Sequence, residues 1–186
     1  LQYIIYYYVL QGSYVDNIIW LLIIKNYCKI LMINNYIIYM SLITSISGLR
    51  GTIGGTPGEN LTPLDAVKFT AAFVSLLKTT HQTKLKIVVG RDARISGLAL
   101  KNQIISTLQF CGADVVDLDL ATTPTVEMSV IREKAQGGII LTASHNPKEW
   151  NALKLLNEKG EFISGAEGTK LLELAASQNF NFAEIN

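Results

Sequence analysis

Leu85-Lys86-Ile87-Val88-Val89-Gly90 is a short, largely β-branched run stopped by a glycine, and it reads as a buried strand. On its N-terminal side Thr62 can cap a helix with Pro63 in the first position, and Leu64, Val67, Ala71, Val74 and Leu77 recur at helical spacing. On its C-terminal side Ser96 can cap a second helix that runs to about Phe110 and is closed by Gly112. Val115 to Leu118 follows as a strand and Pro124 to Lys134 as a third helix ended by Gly137 and Gly138, with Ile139 to Leu141 the next strand. Strand, helix, strand, helix, strand with short connections predicts right-handed crossovers and three parallel strands. The next apolar run, Ala152 to Leu156, starts too soon after Leu141 for a parallel return, and Pro147 blocks a helix in the gap. It should therefore run antiparallel. A turn at Asn157 to Gly160 leads to a last amphipathic helix, Gly165 to Ser177, with Ala166, Thr169, Leu172 and Leu174 to Ala176 as its buried positions. The expected class is α/β: a three-layer α/β/α domain with a mixed sheet, three parallel strands plus one antiparallel.

Working outward, the composition breaks at Met40. All 8 tyrosines precede it, whereas Ala, Arg, Glu and Pro occur only after it. We read residues 1–39, rich in Ile, Tyr, Asn and Leu and opening on Leu, as a non-native or disordered extension resembling translated upstream DNA. Residues 40–186 are read as the α/β/α domain, truncated after Gln178 to Asn186, which have no clear pattern. A membrane anchor fits poorly, because the apolar runs Tyr3 to Leu10 and Ile18 to Ile24 fall short of the ~20 residues a span needs. A formal charge of +1 with 17% charged residues gives no clustered basic surface for nucleic acid. Cys28 and Cys111 stand alone, without disulfide or zinc spacing, so a reducing cytoplasm is the expected location.

The densest polar cluster is Thr142-Ala143-Ser144-His145-Asn146-Pro147, where a buried strand leaves the sheet. Ligands of open α/β sheets bind beyond the carboxyl ends of the strands. Ser144 is thus a candidate nucleophile, although His145 beside it need not face it. The bland alternative is a loop whose Ser, His and Asn make local hydrogen bonds around Pro147. Ser47-Gly48-Leu49-Arg50-Gly51 sets an arginine between glycines, where a guanidinium can meet phosphate in bidentate fashion. Gly90-Arg91-Asp92-Ala93-Arg94 leaves a neighbouring strand end. Each has a duller reading: Arg91 and Asp92 as a structural pair, Arg94 or Lys154 as a solvated charge.

The segment 142–147 is similar to the phosphoserine-loop signature of the α-D-phosphohexomutases, the family of phosphoglucomutase, phosphomannomutase and phosphoglucosamine mutase. Residues 47–51 and 90–94 match two further motifs of that family. Trp150-Asn151-Ala152-Leu153-Lys154 resembles its aromatic-Asn-Gly-x-Lys segment, with Ala152 in place of Gly. The four matches occur in order across residues 41 to about 160, which is the first domain alone.

The resemblance implies an isomerase that interconverts hexose 6-phosphate and 1-phosphate through a phosphoserine at Ser144 and a bisphosphate intermediate. The substrate expected is that of a phosphoglucosamine mutase or phosphomannomutase. Ser144, Lys154 and Arg50 would be catalytic, and Arg50, Arg91, His145 and Asn146 would bind phosphate or substrate. Mg2+ would be held by Ser144 through its phosphate, its other ligands coming from an Asp-Gly-Asp-Gly-Asp loop that this sequence lacks. A hexose bisphosphate is the expected activator, and the partners expected are a phosphorylated hexose and the later domains of the same protein. On that basis this chain alone is not a complete catalyst. The competing expectation is a non-catalytic module that binds a phosphosugar through the same arginines.

Overall fold

The computed structural model describes residues 29–33, 36–45 and 48–184, and the chain divides into two compact units, Leu1–Ser41 and Leu42–Asn186. In the first unit β1 (Lys29–Ile33) and β2 (Tyr36–Met40) pair antiparallel, in register from Lys29 opposite Met40 to Ile33 opposite Tyr36. The sequence reading expects no element there. The remainder of the extension read over residues 1–39 lies outside the described residues.

The second unit is an open sheet of 6 strands in the order β3-β4-β8-β7-β5-β6: β3 (Ile43–Ser45), β4 (Gly48–Thr52), β5 (Lys86–Arg91), β6 (Asp114–Leu120), β7 (Gly137–Leu141) and β8 (Trp150–Leu156). Parallel pairing joins β6 to β5 and β5 to β7, and β8 runs antiparallel to β7. The count of three parallel strands plus one antiparallel needs correction, because β4 pairs antiparallel with β8 and β3 antiparallel with β4. The opening segment hides both strands. Gly48-Leu49-Arg50-Gly51 has neither β-branched residues nor clean alternation, and its pairing partner lies about a hundred residues away on β8.

Helix α1 (Pro63–Lys78) starts with a capping box in which Thr62 and Asp65 satisfy each other's backbone amides. It packs between α2 (Gly97–Phe110) and α4 (Gly165–Ser177), so more of its surface is buried than a single stripe. Phe69, Phe73, Leu76 and Leu77 enter the larger core, whereas Leu64, expected inside, is 66% exposed. On α4 the buried line is Gly168, Leu171 and Ala175, while Ala166, Thr169 and Ala176 face solvent. Glycine at 168 carries no side chain to reveal its inward position.

The two faces of the sheet carry separate cores. Ile87, Val89, Ile139, Leu141, Leu153 and Leu155 meet α1, α2 and α4 on one face. Val88, Ile140 and Leu156 meet Val126 and Val130 of α3 (Thr123–Arg132) on the other. Gly137 and Gly138 do not end α3; they begin β7, where a Cβ on Gly137 would press on the Phe73 and Leu77 side chains. Ser96 also departs from expectation. It precedes α2 without a side-chain cap bond, and its Oγ accepts from Asn151 Nδ2 at 2.9 Å, tying α2 to the start of β8.

Candidate functional site at the carboxyl ends of the strands

The reversal of direction between β7 and β8 builds the site. Residues 142–149 leave β7 at the edge where the parallel strands end, and β8 re-enters the sheet with Lys154 opposite Ile140. Cross-strand partners share a face, so Lys154 projects on the α3 side, as does Gly48 opposite it. Arg50 lies opposite Ala152 on that face, exposed and diagonal to Lys154, a separation within reach of long side chains.

Ser144 is exposed and sits at φ 53° in the left-handed region, which costs a residue other than glycine about 1–2 kcal/mol. The Ser144 amide donates to Thr142 Oγ1 at 3.1 Å and the Asn146 amide to the Ala143 carbonyl at 3.0 Å, so the loop turns tightly about the serine. Lys154 Nζ donates to Ser144 Oγ at 3.0 Å. Ser144 and Lys154, both singled out from sequence, are thus in direct side-chain contact. His145 is exposed, and Asn146 is half-buried with its Oδ1 shielded from solvent and without a hydrogen-bond partner.

Arg91 belongs to a second group. Its Nε and Nη2 both donate to Asp119 Oδ1 at 2.9 Å, and its Nη1 to the Asp92 carbonyl at 3.3 Å. Asp119, itself at φ 51°, also accepts from Lys101 Nζ at 2.8 Å, and Lys101 reaches Asp117 at 2.7 Å. Lys101 is buried, and its hydrogen bonds to Asp117 and then Asp119 raise its pKa above the usual lysine range. The hydrogen bond from Lys101, then those of Arg91, hold the Asp119 carboxyl below the usual aspartate range. The alternative reading of Arg91 and Asp92 as a structural pair gives way to an ion pair between Arg91 and Asp119 on the neighbouring β6, a partner supplied by the parallel register of β5 and β6.

Arg94, one of the charges with a solvated alternative, is 12% exposed and grips the serine loop. Its Nη2 donates to the carbonyls of Ser144 at 2.9 Å and Asn146 at 2.8 Å, and its Nη1 to those of Pro147 at 2.7 Å and Trp150 at 2.9 Å. Its Nε donates to Asp92 Oδ2 at 3.2 Å. Sequence reasoning missed this role because backbone carbonyls carry no residue-type signal. Among the described residues no group of three or more His, Cys, Asp or Glu can hold a metal, so the donors present do not make up a magnesium site. No helix among them is long and apolar enough to cross a membrane.

The fold is a mixed-sheet α/β/α domain with a serine and a lysine joined beyond its strand ends. The family model for "Phosphoglucomutase/phosphomannomutase, alpha/beta/alpha domain I" matches residues 42–182, and the chain belongs to that family. It is 40% identical over 140 residues to a phosphoglucomutase/phosphomannomutase of Thermococcus kodakarensis, covering 74% of this chain and 31% of that protein. A probable phosphoglucosamine mutase of Pyrococcus horikoshii is 35% identical over 134 residues, covering 72% and 28%. Among solved structures, a putative phosphomannomutase of Thermus thermophilus superposes with a TM-score of 0.64 at 27% identity, over 73% of this chain and 30% of that one. The chain spans about a third of the length of the curated relatives it matches.

Proposed function

We propose that this chain is the phosphoserine-bearing first domain of a phosphohexomutase, with Ser144 as the phosphate carrier. The observation that carries the reading is the 3.0 Å hydrogen bond from Lys154 Nζ to Ser144 Oγ on an exposed loop beyond β7. In the forward step the bond between phosphorus and Ser144 Oγ breaks as a sugar hydroxyl bonds to phosphorus. Lys154 hands a proton to the departing Oγ, and the hydroxyl's proton restores the lysine. Arg50, on the same face, offsets the phosphate's charge of nearly two. In this reading His145, Asn146 and Arg91 bind the phosphate or the substrate, and Arg91 is held at its strand end by Asp119. The names of the relatives favour a hexose phosphate as substrate, of the phosphoglucosamine or phosphomannose kind. We also propose a hexose bisphosphate activator and a cytoplasmic setting. Mg2+ would be held by Ser144 through its phosphate, with its other ligands supplied from outside the described residues, among which no group of three or more His, Cys, Asp or Glu forms a metal site. Alone, the domain accepts and holds phosphate without turning over, because substrate left unoriented forfeits much of the rate. The test is intact-mass measurement after incubation with glucose 1,6-bisphosphate. The expected result is one phosphate on the wild-type chain, none on Ser144→Ala, and no sustained isomer formation by phosphorus NMR. Phosphate on another residue would remove the assignment.

A further inference from the structure

We propose that Arg94 is a positioning residue that sets the Ser144 loop against Lys154, acting on the loop's backbone and not on phosphate. The inference rests on the reading of Ser144 as phosphate carrier. A guanidinium has five N–H donors in a rigid fork, and here each one is used: four on backbone carbonyls and one on Asp92. None is left for a phosphate oxygen. Asp92 in turn holds Arg94 at two points, its Oδ2 on the guanidinium Nε and its Oδ1 on the backbone amide at 3.0 Å. Three of the carbonyls that Arg94 bonds, those of Ser144, Asn146 and Pro147, lie in the loop, and the fourth, that of Trp150, begins β8. The ends of the loop are tied down by the Thr142 amide, which donates to the Ala152 carbonyl at 3.2 Å, and by the Glu149 carbonyl, which accepts from the Ile53 amide at 2.8 Å. Between those ends Arg94 bonds three of its carbonyls. The left-handed backbone of Ser144 is thus held by its own carbonyl, and the serine hydroxyl is aimed at Lys154. Lysine at 94 would keep the charge but offers only three donors about a point, and cannot span four carbonyls.

The experiment compares wild type with Arg94→Lys, Arg94→Gln and Asp92→Asn in the 186-residue chain. It reads deuterium uptake of the peptide covering residues 142–151 and the rate at which Ser144 gains phosphate from glucose 1,6-bisphosphate. Both Arg94 variants should raise loop exchange about tenfold, with α1 and β5 unchanged. They should cut phosphate gain about a hundredfold, the scale of a displacement of roughly 1 Å. Asp92→Asn should move both readouts in the same direction by less. Wild-type loop exchange or wild-type phosphate gain in Arg94→Lys overturns the proposal. Should that variant fail to fold, unchanged values in Asp92→Asn overturn it instead. Absence of phosphate on the wild-type chain itself removes the reading of Ser144 and the positioning role with it, whereas equal gain in wild type and variants removes the positioning role alone.

Discussion

Lys154 Nζ stands 3.0 Å from Ser144 Oγ because β8 returns antiparallel beside β7, bringing a residue from the middle of one strand under the loop that ends the other. Lys154→Met keeps the length of the side chain and removes the donor. Phosphate gain at Ser144 should fall about a hundredfold, within the range for losing a positioned acid–base group. The melting temperature should move little, because a polar contact to an exposed hydroxyl contributes weakly to stability. Scanning calorimetry beside the intact-mass assay separates the two, and equal loss of stability and of phosphate gain would count against a chemical role.

The Lys101–Asp117–Asp119–Arg91 group predicts a pH dependence with a definite sign. Asp119 has its pKa lowered in the folded chain, so its contribution is present above the ordinary aspartate value and is lost as pH falls through the lower folded one. Lys101 has its pKa raised, so its contribution holds below the ordinary lysine value and is lost as pH rises through the higher folded one. Melting curves against pH should be flat between these limits with respect to this group. Asp119→Asn should flatten the acid limb, and Lys101→Met should lower the neutral plateau by leaving Asp117 and Asp119 facing each other. An unchanged acid limb in Asp119→Asn would show that other carboxylates set it.

Gly48 has φ 134°, and a Cβ there would collide with the Leu153 carbonyl oxygen of β8. Gly48→Ala should destabilise the chain by roughly 3 kcal/mol, combining backbone strain with a broken strand pairing. Because β4 carries Arg50, phosphate gain should fall as well. Denaturant unfolding measures the first effect, and a loss below about 1 kcal/mol would mean that β4 shifts without cost.

We further propose, from the composition break at Met40, that residues 1–39 add nothing to the stability of the α/β/α unit. A chain begun at Met40 should melt within about 2 °C of the full chain, a change under roughly 1 kcal/mol. A large drop would show that the extension packs on the domain.

The sequence alone determined the local elements of residues 62–177. Thr62 and Pro63 mark the start of α1, the run from Leu85 to Gly90 marks β5, and the short gap after Leu141 fixes β8 as antiparallel. These signals are carried by residue type and spacing over a few neighbours, and Ser144 and Lys154 came from motifs of the same local kind. Only the tertiary structure decided the rest. Strands β3 and β4 exist because β8 offers an edge to pair with, which the glycine-rich segment 47–51 does not announce. The burial of Gly168, the exposure of Leu64 and the pairing of Arg91 with Asp119 follow from which helices and strands become neighbours. Arg94 is the sharpest case. A charge at the surface and a clamp on four carbonyls have the same sequence, and folding alone brings residues 94 and 144–150 to one place.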